Sequence, residues 1–109
     1  MRSGTAPTVE VLYFAECPNY EAAVEAVREA LAEAGIEAPV ELVEIETEAA
    51  AERAQFYGSP TVRVNGRDVF PPADPHRRPA LACRVYRTPN GRIAPAPPRV
   101  AILAALRGL

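Results

Sequence analysis

A strand, a helix and a second strand follow one another near the start of the chain, and this order restricts the fold more than any other feature. The run V-E-V-L-Y-F at residues 9–14 is rich in β-forming residues, and so is P-V-E-L-V-E-I-E at residues 39–46. Between them, residues 18–35 predict a helix ending at Gly35, because apolar residues recur at steps of three and four. The expected buried stripe comprises Tyr20, Val24, Val27, Leu31 and Ala34. Two strands joined in this way are expected to be parallel, with a right-handed crossover.

The middle of the chain predicts a short helix and a hairpin. Thr47 is the expected N-cap of a helix over residues 47–57, and Gly58 is expected to end it. Asn65-Gly66 lies between the β-runs T-V-R-V and R-D-V-F. This dipeptide favours a type I′ turn, because both of its residues accept a positive φ. Strands three and four are therefore expected to be antiparallel neighbours.

The last third of the chain predicts a long loop and a final helix. Residues 71–98 contain 8 of the 12 prolines, and T-P-N-G within them is a candidate turn for a small hairpin. Pro98 suits the first position of a helix. Its expected inward-facing residues are Val100, Leu103 and Leu106.

These elements predict an α/β fold in the order β-α-β-α-β-β-α, with a mixed four-stranded sheet. The length suits one domain over residues 1–109. Its core is expected to comprise residues 8–70 and 98–107, and residues 71–97 are expected to form a Pro/Arg-rich loop inserted before the last helix.

Charge is distributed unevenly along the chain. Residues 1–74 hold all 14 acidic residues and 5 arginines, a net charge of −9, whereas residues 75–109 hold 7 arginines and no acidic residue, a net charge of +7. The basic part has one tyrosine, Tyr86, and no regular basic helix, so nucleic-acid binding is not expected. Solvated arginines and a homodimer that joins the acidic helix to the basic loop remain open.

The amino-acid composition limits which kinds of catalytic or metal-binding site the chain can form. The absence of lysine excludes Schiff-base chemistry and a Walker-type phosphate loop. One histidine, His76, and two cysteines do not supply an ordinary structural zinc site, so no metal and no cofactor are expected. His76 itself is expected at the surface of the loop. Neither a membrane-length apolar span nor an apolar leader is visible, so we expect a cytoplasmic protein without membrane partners.

Cys17 lies where the first strand gives way to the first helix. The first turn of a helix carries unpaired N–H groups and a partial positive charge, which make a thiol there more acidic. Glu16 opposes this effect, because a nearby carboxylate disfavours a thiolate. The alternative is a buried, inert thiol.

Cys83 lies in the predicted loop, 13 residues beyond Phe70. Strand four is expected to end at the sheet edge where strand three begins, so the loop leaves from that edge and Cys83 is able to reach Cys17. A core-facing or remote Cys83 remains the alternative. Arginines surround Cys83 in the sequence and are expected to acidify it and attract anionic substrates, Arg84 above all. They are Arg77, Arg78, Arg84 and Arg87.

Two motifs in this order resemble those of the thioredoxin-like superfamily, which includes glutaredoxins. Cys17-Pro18-Asn19-Tyr20 is similar to the C-P-x-C of glutaredoxins, with Tyr20 in place of the second cysteine. Gly58-Ser59-Pro60-Thr61 resembles the segment whose cis-proline faces the active-site sulfur. The resemblance covers residues 9–70 and the last helix. It is closest to small bacterial thioredoxin-family proteins, some of which carry selenocysteine at the Cys17 position or an alkylmercury-lyase label.

The resemblance implies a thiol-dependent redox protein of the thiol–disulfide oxidoreductase type. Cys17 would attack a thiol or disulfide substrate, either a protein or a small molecule, and Cys83 is a candidate to resolve the mixed disulfide. The implied substrate-binding residues are Pro18, Asn19, Tyr20, Ser59, Pro60 and Thr61. A cis-Pro60 would leave the Ser59 backbone free to pair with a substrate strand. Glutathione binding is not implied, because the glycine-rich acidic motif of glutaredoxins is missing.

Two other functions remain open. Two thiolates suit soft metals or organomercurials, and carbon–mercury cleavage would further need a proton donor such as Asp68, Asp74 or Glu16. Without such a role, Asp68 and Asp74 are expected to be polar groups of the hairpin and the loop. Alternatively, the chain is a non-catalytic interaction module that uses its acidic helix or its arginine-rich loop.

Overall fold

The computed structural model describes residues 7–17, 20–72 and 74–108 of the chain. The described part contains three helices and six short strands. In chain order they are β1 (Val9–Tyr13), α1 (Tyr20–Ala34), β2 (Val40–Glu44), α2 (Glu48–Ala54), β3 (Thr61–Val64), β4 (Arg67–Asp68), β5 (Tyr86–Arg87), β6 (Ile93–Ala94) and α3 (Arg99–Arg107). The expected α/β order is present, with β5 and β6 added before the last helix.

The main sheet is mixed and four-stranded, in the order β2-β1-β3-β4. Strand β1 pairs parallel with β2 and antiparallel with β3, so it is central. Strands β3 and β4 form the expected hairpin, and Asn65 and Gly66 have φ values of 52° and 81°. The four-stranded mixed sheet is therefore confirmed.

The core divides between the two faces of the sheet because side chains alternate along each strand. Val9 and Val11 of β1 belong to the larger cluster, to which α1 and α3 contribute. Leu12 belongs to the second cluster with Phe56 and with Ala51 of α2. Helices α1 and α3 thus cover one face, and α2 covers the other.

Helix ends and faces depart from the expectations in three places. Thr47 caps α2 by accepting a hydrogen bond from the Ala50 N–H at 3.0 Å, as expected, but the helix ends at Ala54, and its C-cap residue Gln55 is left-handed at φ 54°. Gly58 therefore does not end α2. In α3, Pro98 is the N-cap residue rather than the first helical one. Val100 is 56% exposed and Ile102 is fully buried in its place, so the expected inward position of Val100 is wrong.

The segment expected as an irregular loop contains a hairpin and a few buried residues. Its T-P-N-G sequence turns the hairpin between β5 and β6, in which the Thr88 N–H donates to the Arg92 carbonyl at 2.8 Å. Tyr86 and Ala96 are buried. Among the described residues, no helix is long and apolar enough to cross a membrane.

Candidate functional site

The Ser59–Pro60 peptide bond at the start of β3 is cis, and residues 82–84 lie alongside it. The Ser59 N–H donates to the Ala82 carbonyl at 2.7 Å, and the Arg84 N–H donates to the Ser59 carbonyl at 2.9 Å. Both backbone groups of Ser59 are thus paired within the chain. The expectation that they are free for a substrate strand is wrong, because residues 82–84 already occupy that edge.

Cys17 lies between the end of β1 at Tyr13 and the beginning of α1 at Tyr20, and it is 1% exposed. Its N–H donates to the Phe14 carbonyl at 3.0 Å. Its thiol donates to the Ser59 carbonyl, with sulfur and oxygen 3.6 Å apart. The Cys17 side chain therefore points toward the cis bond, at the carbonyl that also accepts the Arg84 N–H. Pro18 and Asn19, two expected substrate-binding residues, lie outside the described residues.

Cys83 is free and exposed, and it pairs across the backbone bridge with Ser59. The pKa of its thiol is raised, first by desolvation and then by the charge of the Cys17 thiol and a hydrogen bond with it. Since the Ser59 carbonyl also accepts the hydrogen bond of the Cys17 thiol, the two cysteines are neighbours. The pKa of Cys83 is thus raised rather than lowered, contrary to the expectation that the nearby arginines would acidify it.

Arg84 points away from Cys83 into the protein and is 4% exposed. Its guanidinium forms an ion pair with Asp68 at 2.9 Å, and it donates hydrogen bonds to the Thr61 hydroxyl and the Phe70 carbonyl. Its donors are therefore engaged inside the fold. The expected role of Arg84 in binding a substrate is wrong, because the side chain serves instead to anchor residues 82–84 to the sheet.

Tyr86 extends this anchor on the other side of the cis bond. Its hydroxyl donates to the Pro60 carbonyl, and the Arg84 guanidinium lies 4.7 Å from the centre of its ring. Burial raises the pKa of the Tyr86 hydroxyl. Neither Tyr86 nor the Arg84–Asp68 pair was predicted as part of the site. The sequence carried no clear signal for them, because the buried positions hold Arg84 and Tyr86 whereas the apolar Val85 between them is exposed.

Gly58 and Thr61 let residues 82–84 approach closely. Gly58 has a φ of 125°, and a Cβ atom there would lie 2.8 Å from the Arg84 Cβ. The buried Thr61 hydroxyl donates to the Gly58 carbonyl at 2.7 Å and accepts from Arg84. Both residues shape the backbone at the site. Thr61 is too deeply buried to contact a substrate.

The remaining candidates lie around this centre. Tyr20 is half-buried, and its ring stacks on Tyr13 with 4.4 Å between centroids, so it packs against β1 as its position on the stripe predicts. Asp74 accepts a hydrogen bond from the His76 N–H in an exposed turn. Across the described ranges, no group of three or more His, Cys, Asp or Glu residues is arranged to hold a metal ion.

Residues 18–106 match the family described as Domain of unknown function (DUF2703). The chain belongs to this family. The DUF2703 match includes Ser59, Pro60 and Cys83, and it begins one residue after Cys17. Neither the curated proteins nor the solved structures contained a match.

Proposed function

We propose that this DUF2703 chain is a thioredoxin-like thiol–disulfide oxidoreductase whose redox centre is the pair Cys17 and Cys83. One observation carries the proposal: two free thiols are neighbours beside a cis-proline, where the Ser59 backbone contacts both cysteines. Neighbouring thiols are what an intramolecular disulfide requires. The absence of a cysteine at position 20 then has a simple explanation, since residues 82–84 supply the second thiol.

The architecture supports the resemblance to thioredoxin-like proteins. The resembling proteins are expected to have a cysteine between the first strand and first helix, and a cis-proline opening the third strand. In this chain Cys17 lies between β1 and α1, and the cis bond precedes β3. The fold and the thiol pair therefore favour the same proposal.

The exposures of the two thiols suggest how they divide the reaction. Cys83 is exposed, whereas Cys17 is only 1% exposed. Cys83 then makes the first contact with an external disulfide and Cys17 resolves the product. This assignment reverses the roles expected from the sequence, in which Cys17 attacks first.

The proposed cycle has two exchange steps. The Cys83 thiolate attacks a substrate disulfide, forming a mixed disulfide and releasing one substrate thiolate, which takes up a proton. The Cys17 thiolate then attacks the Cys83 sulfur, forming the Cys17–Cys83 disulfide and releasing the second substrate thiol. Two electrons pass from the protein to the substrate, and an external dithiol must reduce the protein again. The cytoplasm, where thiol reductants are abundant, suits this cycle.

Oxidation with diamide followed by peptide mass spectrometry tests the proposal. We expect the native protein to lose both thiols together and to give one intramolecular Cys17–Cys83 disulfide. Cys17→Ser should instead stop at a Cys83 adduct, since the resolving thiol is gone. If the native protein accumulates separate adducts on the two cysteines, or leaves both unmodified, the redox proposal is wrong and the interaction-module hypothesis gains.

Soft-metal binding is a second candidate, favoured by the same pair of neighbouring thiols. Two thiolates are suited to copper(I) or mercury(II). Carbon–mercury cleavage is less favoured, because Asp68 is engaged by Arg84 and Asp74 caps an exposed turn. Titration of the reduced protein with copper(I) against a chelator separates the candidates: tight 1:1 binding that either single Cys→Ser variant abolishes supports a metal role.

A further inference from the structure

The segment that carries the exposed thiol presents an alternating surface. Cys83, Val85 and Arg87 are exposed, whereas Arg84 and Tyr86 between them are buried. This period of two is that of an extended chain, so the three exposed side chains lie on one face. Val85, a large apolar residue two positions after Cys83, is 68% exposed.

The neighbouring strand widens this surface. Ile93 of β6 is paired with Arg87 of β5, and residues directly opposite in an antiparallel pair point to the same face. Ile93 is 64% exposed. We call the four residues Cys83, Val85, Arg87 and Ile93 the docking strip. It combines a thiol, two exposed apolar side chains and a guanidinium.

Within the described residues, the positive charge of Arg87 in the docking strip is not paired with a carboxylate. The two ion pairs formed there are Arg84–Asp68 and Arg99–Glu33. The guanidinium of Arg87 donates only a long hydrogen bond, 3.3 Å, to the Gly91 carbonyl of its own hairpin. Its charge therefore faces solvent beside Val85 and Ile93.

On the N-terminal side of Cys83, three carboxylates gather near Leu81. The Glu48 carboxylate accepts a hydrogen bond from the Leu81 N–H at 3.2 Å. Glu16 and Glu46 line a depression of about 280 Å³ together with Leu81. The exposed thiol thus lies between a carboxylate side and a cationic, apolar side. Such an arrangement favours one orientation of a charged partner.

We infer that the docking strip binds a protein segment that carries its reactive disulfide next to acidic and apolar side chains. The inference rests on the proposed redox function and names its substrate class. Opposite charges favour an acidic residue against Arg87, and apolar residues would cover Val85 and Ile93. From Cys83 to Arg87 an extended chain spans about 13 Å, which is several residues of a polypeptide.

Three synthetic peptides test the inference. Each carries one cysteine as a mixed disulfide with thionitrobenzoate, next to leucine, and they differ only in having glutamate, glutamine or lysine as flanking residues. The rate of thionitrobenzoate release by the reduced protein is measured at low and high salt. We expect the glutamate peptide to react roughly two- to fivefold faster than the lysine peptide at low salt, with the ratio approaching one at high salt.

Matched variants assign the effect to the strip. Arg87→Glu should reverse the preference, whereas Arg107→Glu makes the same charge change at an exposed position of α3 and should leave it unchanged. Val85→Ser should slow all three peptides, and Val100→Ser, which removes another exposed valine, is its control. Equal rates with all three peptides, or an unchanged preference in Arg87→Glu, would overturn the inference.

Two readouts keep the inference separate from the redox proposal. A neutral oxidant such as diamide reports whether the Cys17–Cys83 disulfide forms at all. If it forms but peptide charge has no effect, the inference fails and the redox proposal stands. Sedimentation of the native protein and of Arg87→Glu supplies a further test. A native dimer that this substitution dissociates would overturn the inference, with a second copy of the chain as the occupant.

Discussion

The guanidinium of Arg84 forms an ion pair of 2.9 Å with the carboxylate of Asp68, and the two side chains are only 4% and 14% exposed. Arg84 directly follows Cys83, and its N–H donates to Ser59. This pair therefore helps to hold residues 82–84, which carry Cys83, against Ser59, whose carbonyl accepts the hydrogen bond of the Cys17 thiol. The geometry of the thiol pair depends on a contact that itself carries no redox chemistry.

Removing one member of the pair should destabilise the protein strongly. We expect Arg84→Met or Asp68→Asn to lower the free energy of unfolding by about 3–5 kcal/mol, because a buried charge loses its partner. The double variant should lose less than the sum of the single losses. Urea unfolding of all four proteins measures this coupling, and Arg87→Met is the exposed control. Additive losses would mean that the two side chains act independently.

Gly58→Ala should destabilise the protein more than an alanine substitution at another glycine with a positive φ. Its φ of 125° and the 2.8 Å approach to Arg84 combine backbone strain with a steric clash. We expect a loss of about 2–3 kcal/mol in the free energy of unfolding. Gly35→Ala is the matched control, because Gly35 also has a positive φ but open space around it, and it should lose only about 1 kcal/mol. Similar losses in both variants would argue against close packing at Gly58.

The reactivity of Cys83 should depend on pH and on Cys17. Because the pKa of Cys83 is raised, its iodoacetamide alkylation should reach half its maximal rate above the ordinary thiol pKa of about 8.5. Cys17→Ser should move this midpoint to lower pH but not restore the ordinary value, because desolvation remains the larger cause. Mass spectrometry of the alkylated peptide follows the rate, and the urea-unfolded protein is the reference. An unchanged midpoint in Cys17→Ser would show that the thiols do not interact.

Tyr86 should make the protein sensitive to alkaline pH. Its folded-state pKa is raised by burial, so the folded state retains a proton that the unfolded chain loses near its ordinary pKa of about 10. Stability from this group is fully present below that pH and is lost as pH rises further. Urea unfolding on both sides of this pH should show the fall in the native protein, and Tyr86→Phe should remove that contribution to the fall.

Tyr86→Phe should also lower the free energy of unfolding at neutral pH. Tyr86→Phe leaves the Pro60 carbonyl without its hydroxyl donor, which should cost about 1–3 kcal/mol of unfolding free energy. Tyr57→Phe is the control, because its hydroxyl bonds the Gln55 side chain at an exposed position and should matter by less than about 0.5 kcal/mol. If Tyr86→Phe leaves the free energy of unfolding unchanged, this hydroxyl does not hold the β5–β6 hairpin to β3.

Local signals in the sequence determined most of the main sheet. The β-runs and the helical stripe around Val27 predicted the parallel pair β1–β2, and Asn65-Gly66 predicted the hairpin of β3 and β4. These features depend on nearby residues and on the 2.0 and 3.6 periodicities, so they are visible without a structure. The position of Cys17 between strand and helix followed from the same signals.

Only the tertiary structure decided the arrangement of the thiol pair. The bridge of Ser59 with Cys83 and the pair of Arg84 with Asp68 join residues that are distant in the chain, and no local periodicity specifies such contacts. Apart from the β5–β6 hairpin, a segment this rich in proline has no regular hydrogen-bonding pattern of its own, so its course depends on the surfaces available to it. The burial of Cys17 and the exposure of Cys83 are likewise decided by tertiary packing.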